Sequence, residues 1–423
     1  MRMTETCFAS VRVSSQSGAC LVGIASSLLI SGVAHAGIGM TPFSLSLSQG
    51  FSHDSNVERV DGGRADTVSV TSVTAGLEKQ YGRQTYSAAV TGLIQRFQDL
   101  SVYNNDGFTA EMAFASELGD RSRVNASFLR SRSLQDFENR SGVADGKRVV
   151  TNSNLSLRFE HGLIAQWKVM GDVGYSAADY DKAAEENRTS RSLRLGVRHS
   201  PSDLLYYETG LRHTMSDFPN RRVLQGTLGE AVGEQINRWD VDFQAGLTMT
   251  GLSQLTARLN LTKEKQDTKD ASKLDDPARD FSGVTGSLAW SYTPRGKLSY
   301  LVSLSRDTNN SGGFTSTTYT SLRDKLNTSL DLTALWRLTQ KLSVRGNAGV
   351  TFIEEEERLQ LDGDDLSEDS SGTRGKASLS LKYELDRNWE VSCEVVRTER
   401  TRTVFNSGFS SNLYSCSGTF LMD

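Results

Sequence analysis

The sequence predicts an all-β chain folded as a single transmembrane, antiparallel, up-and-down β-barrel of about 18 strands. Three observations predict it. Apolar and polar residues alternate along most of the chain: Trp239, Val241, Phe243, Ala245, Leu247 and Met249 share one parity, while Asp240, Asp242, Gln244, Gly246 and Thr248 share the other. Successive strand side chains point to opposite faces, so each such run is a strand with one greasy and one wet side. The connections alternate between short turns and longer polar loops, which a barrel places on opposite rims. Finally, the runs reach roughly 14 residues, beyond the 5 or 6 common in soluble sheets and enough for the 9 to 11 of a tilted spanning strand.

The elements follow in chain order. Arg2 and Arg12 precede the apolar run CLVGIASSLLISGVAHA, whose last residues, Ala34, His35 and Ala36, form the small-x-small pattern of a signal-peptidase site. Residues 1–36 are therefore expected to be a signal peptide and 37–423 the barrel. The run is short for a spanning helix, which needs about 20 apolar residues. SGAC at 17–20 makes a poor lipoprotein box, because the apolar core follows the cysteine.

Strands are expected at 43–50, 66–81, 84–98, 106–119, 121–135, 148–162, 165–180, 187–200, 203–217, 236–250, 253–267, 279–293, 297–308, 322–338, 341–355, 373–386, 388–403 and 411–422. Short turns fall at sites such as Gly82-Arg83, Gly119-Asp120, Pro201-Ser202 and Asp386-Arg387, and longer loops near 51–65, 99–105, 136–147, 218–235 and 356–372. Proline cannot donate to a sheet ladder, and Pro42, Pro201, Pro219, Pro277 and Pro294 all avoid strand interiors. Trp167, Trp290, Trp336 and Trp389 lie near short turns, as an interfacial girdle requires, whereas Trp239 sits at the other end of its strand. The alternation slips between Val70 and Val73 and again around Phe281 to Val284, and β-bulges are expected there. The end, GTFLMD, is an imperfect version of the aromatic terminus common among outer-membrane barrels.

Forty-seven basic and 51 acidic side chains leave a net charge of −4, with no basic footprint for nucleic acid. Cys7 and Cys20 depart with the leader. Cys393 and Cys416 remain, on the greasy parity of adjacent strands in an oxidising compartment, so a cross-strand disulfide is expected; the alternative is two small apolar residues.

The wet face carries both signs of charge at mid-strand: Arg158, Arg194, Arg198, Glu208, Arg212, Asp240, Asp242, Arg258, Asp331, Arg345 and Lys382. Such groups are costly in a packed core and suit a water-filled lumen, so they are the candidate lumen-lining residues. The greasy face then touches acyl chains. Closure into a barrel is required, since open sheet edges cannot be satisfied in hydrocarbon.

The leader, the hairpin repeat and FSHDSNVERVDGGRADT after the first strand resemble a family of Gram-negative outer-membrane barrels encoded with exosortase-associated exopolysaccharide systems. Asp54, Asn56 and Arg59 match that family's Asp-x-Asn-x-x-Arg stretch. The resemblance implies a channel exporting polysaccharide across the outer membrane, with no catalytic residues. The expected partners are outer-membrane lipid and lipopolysaccharide, the polysaccharide substrate and periplasmic export components.

Three other readings compete. The nearest alternative is a general or sugar-selective diffusion porin with the same wall. An outer-membrane hydrolase would need histidine, and His53, His161, His199 and His213 show no recognised spacing. The acidic run with Asp362, Asp364 and Asp365 starts like a calcium loop but Leu366 and the misplaced closing Glu break the pattern, so no metal or cofactor is expected. An adhesive surface protein ranks below both channel readings, its loops carrying no repeated or aromatic-rich motif.

Overall fold

The structure is a computed structural model that describes residues 42–139, 146–163, 166–220, 222–223, 230–231, 233–268, 279–294, 296–308, 320–361, 364–403 and 407–422. The expected signal peptide and its cleavage site lie outside the described residues, as do Pro277 and Asp362.

The strands are β1 (Phe43–Asp54), β2 (Asp66–Tyr81), β3 (Gln84–Phe97), β4 (Asn105–Leu118), β5 (Ser122–Leu134), β6 (Val149–His161), β7 (Trp167–Tyr180), β8 (Arg188–Ser202), β9 (Leu205–Phe218), β10 (Arg222–Val223), β11 (Glu230–Ala231), β12 (Glu234–Thr250), β13 (Ser253–Thr268), β14 (Arg279–Tyr292), β15 (Leu298–Thr308), β16 (Thr320–Arg337), β17 (Leu342–Leu361), β18 (Asp364–Glu384), β19 (Trp389–Arg400) and β20 (Phe409–Met422). Eighteen of them form one sheet in which each strand pairs antiparallel with its chain neighbour. The ring closes where β1 pairs with β20, from Leu45↔Met422 to Asp54↔Leu413. A closed ring leaves no unpaired edge, the condition for a sheet in hydrocarbon. The small hairpin β10–β11 stands apart, inside the loop between β9 and β12.

The two faces differ as the alternation requires. Leu195, Leu211, Val241, Phe243, Leu259, Leu288 and Leu330 are exposed on the outside, a contiguous apolar surface far beyond what a water-soluble monomer shows. At the short-turn rim, Trp167 stacks on His199 at 4.3 Å, Trp389 packs on Phe420 at 4.8 Å, and Trp290 Nε1 donates to Ser253 Oγ at 3.0 Å. Cys393 and Cys416 face each other across β19 and β20 with sulfurs 2.15 Å apart.

Two expectations about the strands are corrected. No bulge interrupts β2: its register runs unbroken against β1 and β3. Val68 and Val70 instead turn inward, into an apolar cluster with Val57, Phe97, Leu100, Tyr103 and Phe137, while Val73 is exposed outside. The slip marks a place where the inside of the barrel is greasy. Likewise β14 holds one register against β13 from Ser253↔Tyr292 to Gln266↔Arg279. The expected loop 356–372 is also shorter than its charges suggested, because β17 and β18 pair out to Leu361↔Asp364. Ladder hydrogen bonds join backbones, so acidic side chains on a projecting hairpin do not end it.

The inward cluster sits at the long-loop rim. It joins the loop after β1, the turn at Ser101–Tyr103 and the turn at Phe137–Asn139, with the Tyr103 ring 4.8 Å from Phe137 and 5.9 Å from Phe97.

Candidate functional site

The inner face of β7, β8, β9 and β12 carries one connected ion-pair network. Arg194 on β8 stands opposite Asp172 on β7, and alternation puts Glu208 and Asp242 on the same inner face of the next two strands. Arg194 Nε donates to Asp242 Oδ1 at 2.9 Å, Nη2 to Glu208 Oε1 at 2.6 Å, and Nη1 to Asp172 Oδ2 at 3.2 Å. Reaching Asp242 requires crossing β9. Gly210 makes that crossing, since a Cβ there would lie 2.9 Å from Arg194 Nη2.

The network extends through Arg198 and Arg158, and Arg238 anchors a neighbouring group on the same face. Arg198 Nη2 donates to Glu208 Oε2 at 2.7 Å and its guanidinium lies 4.5 Å from the Tyr206 ring, whose hydroxyl accepts from Gln244 Nε2 at 2.8 Å. Arg158 Nε lies 3.0 Å from Glu160 and 3.4 Å from Asp172. Arg238 Nε donates to Asp240 Oδ1 at 3.0 Å, and Thr262 Oγ1 donates to the same oxygen at 2.6 Å. Arg238 also reaches Asp307 and Thr308 on β15.

Of the residues singled out from sequence, Arg158, Arg194, Arg198, Glu208, Asp240 and Asp242 come together here. Arg258, whose Nε donates to Asn260 Oδ1 at 3.1 Å, and Arg212 sit beside them. Asp331, Arg345 and Lys382 lie apart on β16, β17 and β18, and Lys382 pairs with Glu390 at 2.7 Å. Sequence reasoning missed Asp172, Glu160, Arg238, Tyr206 and Gly210. Their signal was parity combined with register, and register needs the turns to be placed to the residue.

At the mouth, the motif residues form a second cluster. Arg59 forks onto Asp54, Ser411 Oγ donates to Asp54 Oδ1 at 2.6 Å, and the Asn56 N–H donates to the same oxygen at 2.9 Å. Asn56 Nδ2 donates to Val60 O at 2.7 Å and to Ser410 O at 3.3 Å. Asp54 ends β1 and Ser411 lies on β20, so the cluster clips the barrel's closing seam.

A third element spans the mouth. Five strands separate β5 from β19 around the ring. The turn after β5 nevertheless meets β18 and β19, because Glu138 pairs with Arg374 and the Arg400 guanidinium donates to Glu138 O at 3.2 Å. Lys147 Nζ donates to Asn104 O at 2.6 Å and Tyr103 Oη to Glu58 Oε1 at 3.1 Å, tying the loops to one another. Burial, with the neighbouring Glu138 charge, pushes the Asp136 carboxyl up to about 6. The Arg64 hydrogen bond holds Glu58 below the usual carboxylate range despite partial burial.

The histidines have local partners. His161 Nδ1 lies 2.8 Å from Ser122 Oγ, His53 Nδ1 lies 3.1 Å from Thr67 Oγ1, and His213 packs on Trp239 at 4.3 Å. Among the described residues no group of three His, Cys, Asp or Glu side chains is placed to hold a metal ion.

No family model and no curated protein matches the chain. Solved structures do. The FrpB iron transporter from Neisseria meningitidis, in its apoprotein form, aligns at a TM-score of 0.50 and 10% identity over 91% of this chain and 82% of that one. The ferric-catecholate import receptor Fiu from E. coli K12 aligns at 0.45 and 10% over 89% and 81%. The copper transporter OprC aligns at 0.43 and 10% over 90% and 81%. At such identity the likeness is one of fold, and the chain is an integral β-barrel of the outer membrane.

These findings correct the functional expectation. FrpB, at a TM-score of 0.50, is described as an iron transporter and as neither a polysaccharide channel nor a porin, so the expected polysaccharide export channel, its porin alternative and the polysaccharide partner are set aside. Asp242, Asp240, Arg194 and Glu208 are 0%, 2%, 5% and 5% exposed, with Arg194 held between Asp242 and Glu208 and Asp240 held by Arg238 and Thr262.

Proposed function

We propose that the chain is a gated uptake barrel of the outer membrane, a transporter and not an enzyme, admitting a small charged solute. The observation that carries the reading is the Arg194 network with its tightly paired inner charges. Ion pairs of this kind can trade partners: an anionic group on the solute replaces a carboxylate on a guanidinium fork, and a cationic group takes the carboxylate released. The mouth loops tied by Glu138, Arg374 and Arg400 would act as the gate above it. A metal chelate is the first cargo to try, because iron is what FrpB is described as transporting.

The test pairs uptake with conductance. Cells lacking the gene should lose accumulation of a radiolabelled ferric chelate and regain it with the intact gene. The purified barrel in planar bilayers should stay closed without solute. A large steady conductance in salt alone, or unchanged accumulation of every charged chelate tried, would sink the reading.

A further inference from the structure

The outward parity does not stay apolar to the long-loop rim. On β8, β9, β12 and β13 one ladder row contains Leu193↔His213, His213↔Trp239 and Trp239↔Lys263, and the next row outward contains Arg191↔Met215, Met215↔Asn237 and Asn237↔Lys265. Below them on the same face lie Leu195, Leu211, Val241, Phe243, Leu259 and Leu261, all exposed. The wall therefore changes from hydrocarbon-compatible to cationic within one or two residues. Trp239, the tryptophan out of place in a short-turn girdle, packs against His213 in a tilted pair at that transition, the depth at which amphipathic rings collect.

Other outward cations have local carboxylates: Arg96 pairs with Asp106 at 2.6 Å, Arg306 with Glu354 at 3.4 Å, and Arg397 with Glu399. Arg191 and Lys263 are exposed and, among the described residues, no carboxylate forms an ion pair with either. An outward side chain just beyond the hydrocarbon of an embedded wall meets lipid headgroups and little else. Arg191 and Lys263 stand three strand spacings apart, about 14 Å at the backbone, a span that two long side chains can close on an anionic group accepting several charge-assisted hydrogen bonds. The row farther out turns acidic, with Asp217 and Asp267, which confines the cationic band to one depth.

We propose that Arg191, His213, Trp239 and Lys263, flanked by Lys265, form a binding site on the lipid-facing wall for the phosphate-bearing headgroup of an outer-leaflet lipid. The Trp239 and His213 rings would lie along the sugar or glycerol backbone while Arg191 and Lys263 hold the phosphate oxygens, and the apolar wall below takes the acyl chains. The site lies on the opposite face of the sheet from the Arg194 network, so it stands or falls independently of the uptake reading.

The test is native mass spectrometry of the full barrel in detergent, titrated with a bis-phosphorylated, acylated glucosamine disaccharide, with the same lipid after enzymatic dephosphorylation, and with inorganic phosphate. The expected result is tighter binding of the phosphorylated lipid by about thirtyfold, lost in the Arg191→Gln/Lys263→Gln double variant and retained in Arg306→Gln/Glu354→Gln, given that each of the two cations near an anionic surface contributes about 1 kcal/mol. Heat-modifiable migration on gels would verify that both variants fold. Equal binding of the two lipid forms, or full binding by the first variant, would overturn the proposal. Competition by millimolar inorganic phosphate would overturn the lipid as the source, leaving a free-anion site.

Discussion

Arg59 holds both carboxylate oxygens of Asp54, at 2.9 Å and 2.7 Å, with the two side chains 7% and 2% exposed. Arg59 reaches this position from a left-handed backbone, φ 56°, the sole non-glycine residue in that region among those described. Only a fixed side chain repays such a conformation. Replacing one partner of a buried pair strands the other charge, so Arg59→Ala should destabilise the barrel by about 3–5 kcal/mol. The urea midpoint for loss of heat-modifiable migration should fall accordingly. Arg59→Lys, which keeps the charge but not the fork, should fall between. An unchanged midpoint in Arg59→Ala would mean that the clip at the β1–β20 seam adds nothing to stability.

Arg194 is the hub of the inner network, and its removal leaves Asp172, Glu208 and Asp242 facing one another without their shared cation. Arg194→Met should lower the same midpoint and abolish chelate accumulation. Gly210→Ala makes the subtler test, because its Cβ would press within 2.9 Å of the guanidinium. It should reduce uptake while costing less stability than Arg194→Met. Full uptake in Gly210→Ala would show that Arg194 need not reach Asp242.

Cys393 and Cys416 are separated by 23 residues in a hairpin whose strands already pair in register. The unreduced, denatured barrel lacking residues 1–36 should take up no maleimide, and two labelled thiols would rule out the bridge. A loop of this size is worth about 3 kcal/mol in the chain-entropy account. Cys393→Ser/Cys416→Ser should therefore assemble but unfold at lower urea.

The sheet was legible because strand parity is written locally: Trp239 to Met249 announces its two faces with no knowledge of its neighbours. Pairing is different. Asp172 becomes Arg194's partner only when the turn between β7 and β8 is placed to the residue, and Gly210 contributes by what it lacks. The mouth was the least legible part. Asp54, Asn56 and Arg59 stood out only through a resemblance to an exopolysaccharide-associated family that no family model supports, while Tyr103 and Phe137 lay in segments that read as ordinary polar loops. The one local trace of their cluster was the shifted parity at Val68 and Val70, and a bulge explained that equally well until the unbroken register was seen.

Asp136 makes the mouth sensitive to pH. It is buried beside Glu138, with Arg374 and Arg59 near, and Arg400 donates to the Glu138 carbonyl. Its carboxyl is pushed up to about 6, so the docked turn favours the protonated form. The sign follows from linkage: the stabilisation is complete below the ordinary aspartate range near 4 and is lost as pH rises through about 6. Hydrogen exchange of the peptide containing residues 135–139, corrected for intrinsic rates, should show more protection at pH 5 than at pH 8. Asp136→Asn, neutral at both, should be protected throughout. Glu138→Gln, which weakens the tie to Arg374, should exchange faster at both. An Asp136→Asn barrel that keeps the wild-type difference would place the titrating group elsewhere in the mouth.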